Sequence, residues 1–219
     1  MRARLIAVCE TILILALILA QLWFVGKAVT FFTLIPATAI IISWVARKET
    51  LHSLGLMCAG FSGSGWLWKF AGGAIALILL IGAFVQGPIF SSLHAAGGLI
   101  LRFLSYIVPA FLQQVVFNLY FVNRIDSFAG GSRRTVAVSA FTFAFVHLPN
   151  PVLTVLTLFG GWLSSSFYLR QRSVYPLALA HAALAAVTYC ALPHAWHHGF
   201  RVGMQYYLYA PSPLDSCAP

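Results

Sequence analysis

Apolar residues fall in seven runs separated by short polar segments, at 5–25, 28–45, 66–85, 97–123, 135–148, 152–168 and 175–192. Runs of about 17 to 25 residues are long enough to cross a bilayer's hydrocarbon as helices. The fifth sits at the short end of that range. The fourth is long, and Pro109 within it is expected to kink it or split it in two. The pattern predicts an all-α, polytopic transmembrane bundle of about seven spans.

Composition narrows this further. Of 219 residues, 61% are hydrophobic and only 8% charged, far too little charge to cover a soluble domain. The length suits one transmembrane domain, 1–219, with two N-terminal spans over 1–47, a core over 48–192 and a tail over 193–219. Thirteen Lys and Arg face four acids (Glu10, Glu49, Asp126 and Asp215), giving a net charge of +9. These charges stand singly at the ends of apolar runs. That distribution reports membrane orientation and excludes a nucleic-acid partner.

With the N-terminus in the cytoplasm, the inner segments carry Arg2, Arg4, Arg47, Lys48, Lys69, Arg124, Arg133, Arg134, Arg170 and Arg172. The outer side keeps Lys27 and Arg201, with Arg102 near the outer end of the fourth run. This asymmetry follows the positive-inside rule and puts the C-terminal tail outside. The first run is too long for a signal-peptide core and has no convincing cleavage site, so it reads as a retained helix. Segment 49–65, with Leu51, Leu54 and Leu56 before a Gly/Ser cluster, reads as a short interfacial helix and a flexible turn. In the tail, Trp196, Tyr206, Tyr207 and Tyr209 suit an aromatic belt at the outer interface. Cys9, Cys58, Cys190 and Cys217 have neither metal-type spacing nor a disulfide framework, and the three in or beside apolar segments are expected to be small buried hydrophobes.

Candidate chemistry comes from polar groups inside the spans, which are costly there and need a reason. The fourth run carries Gln113, Gln114 and Asn118, the fifth ends in Phe143-x-x-x-His147, and the seventh carries Tyr175-Pro176 and His181. Counted from the cytoplasmic charges along a helix, Gln113 lies about 16 Å in, His147 about 20 Å and His181 about 13 Å. Three spans thus present amides and imidazoles at similar depth, which predicts a shared polar pocket. The alternative is that each simply hydrogen-bonds across a helix interface.

These elements, in this order, resemble the CPBP family of CAAX-type prenyl endopeptidases and bacteriocin-processing or immunity membrane proteases. The likeness extends over 48–190 and includes the Leu54-Gly55-Leu56 stretch. The family's motifs are Glu-Glu-x-x-x-Arg, Phe-x-x-x-His and His-x-x-x-Asn or Asp. The resemblance implies a membrane endopeptidase in which a glutamate activates water, two histidines assist and an asparagine supports the oxyanion. Phe143, His147 and His181 match. Gln113 and Gln114 stand where the glutamates belong, Asn118 where the arginine belongs and Ala185 where the asparagine belongs.

A carboxamide can hold a water but cannot take its proton, and losing such a base commonly costs about 10²- to 10⁴-fold in rate. Two substitutes for the base present themselves. Glu10 is the one carboxylate inside an apparent span and either reaches the pocket or pairs with a nearby cation. His147 is the other, with His181 orienting it. No cofactor is expected. Zn²⁺ on His147, His181 and an amide is a weak alternative because amides are poor zinc ligands. The outer cluster His194, His197 and His198 is expected to be solvated, with metal binding the alternative, and Ser164, Ser165 and Ser166 to bond their own helix backbone, with a nucleophile the alternative. Three roles fit this pattern: an endopeptidase with a modified site acting on a membrane-anchored peptide or protein, an inactive relative that binds or escorts a membrane partner, and an enzyme acting on an apolar lipid or isoprenoid. A bacterial inner membrane is the expected setting, with the lipid bilayer as constant partner.

Overall fold

The computed structural model describes residues 2–25, 29–56, 61–87 and 93–210, without the side chains of 25, 29–33 and 93–95. Lys27, Cys58, Asp215 and Cys217 therefore lie outside the described residues. Helices stand at all seven predicted positions: α1 (Arg2–Ala20, extended by a π turn over Gln21–Val25), α2 (Val29–Ala46), α3 (Gly65–Gln86), α4 (Leu93–Gln114), α6 (Ser132–Phe145), α7 (Pro151–Gln171) and α8 (Tyr175–Ala191). The fourth run also supplies a π segment, Val115–Val122, and α5 (Asn123–Ala129). The tail adds the short helices α9 (His194–His197) and α10 (Met204–Tyr207).

Four stretches are long and apolar enough to cross a membrane: Arg2–Phe24, Gly65–Gln86, Ala96–Ala129 and Pro151–Gln171. The apolar helices Leu34–Ala46 and Tyr175–Ala191 are shorter, and α6 has 14 residues. The surface is that of a membrane protein, with large side chains such as Leu101, Phe141, Phe159 and Phe84 facing outward. A surface this apolar would drive association in water, and hydrocarbon is the solvent that suits it.

Local chemistry sets several boundaries. Asn150 caps α7 by accepting the Leu153 amide at 3.1 Å, and Pro151 follows at the first helical position, where its missing N–H is no loss. Gly130 ends α5 in the left-handed conformation, at φ 74°. Pro109 does not split the fourth run; α4 continues through it. The departure from regular α-helix comes instead at 115–122, where the π segment buries Phe117 to Val122 without a gap. A segment buried on every side belongs at the bundle's centre.

Around that centre, α6 packs on α7, α8 lies against both α3 and α4, and α1 contacts α2 and α5. The α6–α7 crossing is close because Gly161 has no side chain: a Cβ there would sit 3.1 Å from the Ala140 Cα. Segment 49–56 is a series of turns, not the expected interfacial helix. Tertiary bonds override its leucine spacing. Leu56 bridges Ser173, the Leu54 carbonyl accepts from the Tyr168 hydroxyl at 3.2 Å, and Gly55 holds φ +69° where a Cβ would meet the Arg172 carbonyl at 2.8 Å. Cys190 also departs from expectation. It is disulfide-bonded, with its partner outside the described residues.

Candidate functional site

A neutral polar cluster occupies the middle of the bundle. Gln114 ends α4, Asn118 follows one turn later in the π segment, Ser164 comes from α7 and His181 from α8. The Gln114 carbonyl accepts from Asn118 Nδ2 at 2.5 Å and from the Ser164 hydroxyl at 2.7 Å. Asn118 Nδ2 also reaches Ser164 Oγ at 2.9 Å. Gln114 Nε2 lies 3.2 Å from His181 Nδ1. Gln114, Asn118 and Ser164 are buried, and the Asn118 carbonyl oxygen has no hydrogen-bond partner among the described residues. A buried acceptor without a donor marks a place for a water or a ligand N–H or O–H.

These bonds fix the two imidazoles as opposite tautomers. An amide N–H only donates, so His181 Nδ1 accepts and the ring proton of neutral His181 sits on Nε2. His147 Nδ1 lies 2.6 Å from the Phe143 carbonyl, which only accepts. His147 Nδ1 therefore carries the proton, and its Nε2 keeps a free lone pair. One ring offers a base, the other a donor.

The Phe-x-x-x-His spacing now has a physical reason. Four residues separate successive turns of a helix, so the Phe143 carbonyl sits where the His147 ring can bond to it. The Phe143 ring stacks on Phe117 at 4.4 Å and meets the His147 and His181 rings edge-on at 4.9 and 6.4 Å. It spaces the two imidazoles as well as orienting one of them. Gly161 makes room for it, with a would-be Cβ only 3.2 Å from Phe143.

Not every expected residue joins this cluster. Gln113, one residue from Gln114, is turned about 100° away on the helix. It is exposed, with no hydrogen-bond partner among the described residues. Glu10 belongs to a separate assembly at the cytoplasmic end. There it accepts from Arg47 at 2.6 Å, from Arg124 and Tyr120 at 3.2 Å each, and from the Ser43 hydroxyl. Arg124, itself buried, also donates to Glu49 at 2.5 Å and to Ser43 at 2.8 Å. Of the two roles expected for Glu10, pairing with cations is the one the structure displays. Six residues separate Asn118 from Arg124, about 9 Å along the helix.

Ser164 departs from the back-bonding expected of it. Ser165 does bond its own helix, donating to the Gly161 carbonyl at 2.6 Å, but Ser164 turns into the cluster. The two adjacent serines look alike in sequence, and only the packing of α7 against the π segment separates them. The tail histidines are a second correction. His197 is fully buried, not solvated, among the rings of Tyr189, His194 and Phe200. Burial, helped by nearby His194, lowers its pKa to about 4. Asn150 ties this tail to the His147 turn, since its Nδ2 donates to the His197 and Arg201 carbonyls at 2.8 and 3.1 Å. No group of three or more His, Cys, Asp or Glu side chains suited to a metal ion comes together among the described residues.

Fold and site together define an integral membrane bundle of α-helices with a buried amide–imidazole–hydroxyl centre. The family model for "Type II CAAX prenyl endopeptidase Rce1-like" matches residues 96–187, from α4 through α8. That stretch, less than half of the chain, contains Gln113, Gln114, Asn118, His147, Ser164 and His181, and over it the chain is similar to the CAAX-type endopeptidases of the CPBP family. No curated protein and no solved structure matches it. The chain thus carries a CAAX-type protease scaffold in which amides replace the motif's carboxylates.

Proposed function

We propose that the protein is a membrane endopeptidase that binds a membrane-anchored peptide or protein at this scaffold, with His147 as the base for water. The supporting observation is the opposed pair of tautomers. A water between the rings would donate to His147 Nε2 and accept from His181 Nε2–H, with its oxygen left to attack a carbonyl. Asn118, with an unused buried acceptor, is suited to a substrate N–H. Gln114 and Ser164 hold His181 and Asn118 in place as positioning residues. Imidazole is a competent base near neutral pH, where the amides are not. The reading calls for no cofactor, since amides beside two imidazoles make a poor zinc site.

The proposed setting is a bacterial inner membrane with the N-terminus in the cytoplasm and the tail outside. Two independent features favour that orientation. Basic residues gather at the end of the bundle near Arg47, Arg124 and Arg172, and the disulfide-bonded Cys190 lies at the other, where an oxidising compartment preserves such bonds.

A second reading rests on the same cluster. With no carboxylate in it, the scaffold can bind a membrane peptide and leave it intact, as an escort protein would. The deciding experiment incubates the purified protein in lipid with membrane-anchored and prenylated peptides and reads new termini by mass spectrometry. Cleavage lost in His147→Ala is the expected result. Retained peptide binding without cleavage in either protein would establish the escort reading instead. An unchanged peptide pool together with lipid bound at the cluster would favour chemistry on an apolar lipid.

A further inference from the structure

The C-terminal tail closes back on the turn that follows His147. Asn150 Nδ2 donates to the His197 and Arg201 carbonyls at 2.8 and 3.1 Å, and the Gly203 amide donates to the Leu148 carbonyl at 2.9 Å. Between these bonds the backbone is strained. His198, Gly199 and Phe200 all take left-handed conformations, at φ 46°, 57° and 61°, which only the glycine adopts without cost. Ring contacts offset that strain. Phe200 meets Tyr189, Tyr106 and His197 edge-on at 5.5, 5.7 and 5.0 Å, and His198 meets Tyr206 at 4.2 Å. At the centre of this arrangement is the fully buried His197 ring.

The described groups that face this ring are neutral or basic. His194 lies 4.6 Å away and Tyr189 5.2 Å, and His198 is next in the chain. From α4, Arg102 already lies 4.1 Å over the Tyr189 ring, with Tyr106 beside it. Arg201 adds a further cation, and α7 contributes only the neutral Asn150. The described carboxylates, Glu10, Glu49 and Asp126, pair with arginines at the opposite end of the bundle. A charged His197 would be buried with no anion beside it among the described residues.

We propose that His197 is the acid-sensitive pin of a clasp: the tail holds turn 148–150 at neutral pH and releases it when the ring takes up a proton. The sign follows from proton linkage. Released, the ring has the ordinary histidine pKa near 6.5, whereas docked it is lowered to about 4, by burial first and by His194 next. The released tail therefore binds the extra proton between those values. Docking weakens about 10-fold for each pH unit lost across that window, about 300-fold in all. Because this turn adjoins His147, release loosens the helix end that carries the candidate base. Docking itself is independent of whether His147 acts as one.

The test follows hydrogen exchange of the whole protein in lipid nanodiscs, read by mass spectrometry and corrected for the intrinsic pH dependence of exchange. Protection over 198–207, which includes the Gly203 amide, should fall about 10-fold per pH unit below about pH 6.5 while α7 stays protected. His197→Phe, an aromatic that cannot be charged, should keep the tail protected throughout. His198→Phe should follow the parent. Ring-nitrogen chemical shifts of the parent supply an arm without a variant: His197 stays neutral at about pH 5.5 wherever the tail is docked. The clasp is overturned by flat protection in the parent, by the parent's slope in His197→Phe, or by a loss that α7 shares equally. A His197 ring that is charged while the tail remains protected would overturn it as well.

Discussion

Two polar assemblies lie about two helical turns apart on one continuous helix, and they solve the cost of membrane burial in opposite ways. At the cytoplasmic end, Glu10, Glu49, Arg47 and Arg124 form a network of full charges. Deeper in, Gln114, Asn118, Ser164 and His181 form one with no formal charge at all. Near the interface, charges are partly solvated and their partners come from four segments, so the network acts as a clamp joining α1, α2, the 49–56 turns and α5. In the interior, an unbalanced charge would cost several kcal/mol, and neutral groups avoid that cost. The contrast shows where this chain puts Glu10 and Glu49: in the clamp, and not in the site where the CPBP motif has its glutamates.

The comparison can be broken most forcefully at Arg124. Arg124→Leu leaves Glu10 and Glu49 with no shared cation in a half-buried setting, an expected loss of about 3–5 kcal/mol. Thermal or denaturant unfolding in detergent would read it. Adding Glu10→Gln and Glu49→Gln should recover most of the loss. If the single variant unfolds like the parent, the clamp is not structural.

The converse change brings a charge into the neutral centre. Gln114→Glu places a carboxylate where no cation stands among the described residues, and a loss of about 3 kcal/mol is expected from the buried charge and the broken bond to His181. Asn118→Lys in the same chain should offset part of it. A single variant that gains both stability and peptide cleavage would show the centre to be more polar than its bonding indicates.

The mildest probe is Ser164→Ala, which deletes one donor to Gln114 and one acceptor for Asn118. About 1 kcal/mol is the expected cost, with the larger consequence in function. If Ser164 positions His181 through Gln114, the variant lowers kcat for peptide cleavage and shifts its pH profile, whereas Ser165→Ala does neither. Equal effects from both serines would reduce Ser164 to an ordinary packing residue.

What is legible in the sequence is set by hydrophobicity and by short-range spacing. Lipid demands long apolar runs, so the seven helix positions follow from the lengths of those runs alone. The four-residue step from Phe143 to His147 needs only one helix to be understood, and Asn150 followed by Pro151 marks a helix start on its own. Tertiary structure decides everything that depends on which way a side chain turns between neighbours. Gln113 and Gln114 are the same residue in succession, and helix rotation alone leaves one exposed and turns the other to His181. Ser164 and Ser165 divide in the same way. Glu10 could serve the site or the clamp, and only the arrival of Arg124, 114 residues away in sequence, settles it. Burial depth follows from composition, but partners follow from packing, because a hydrogen bond forms only with what the fold brings within about 3 Å.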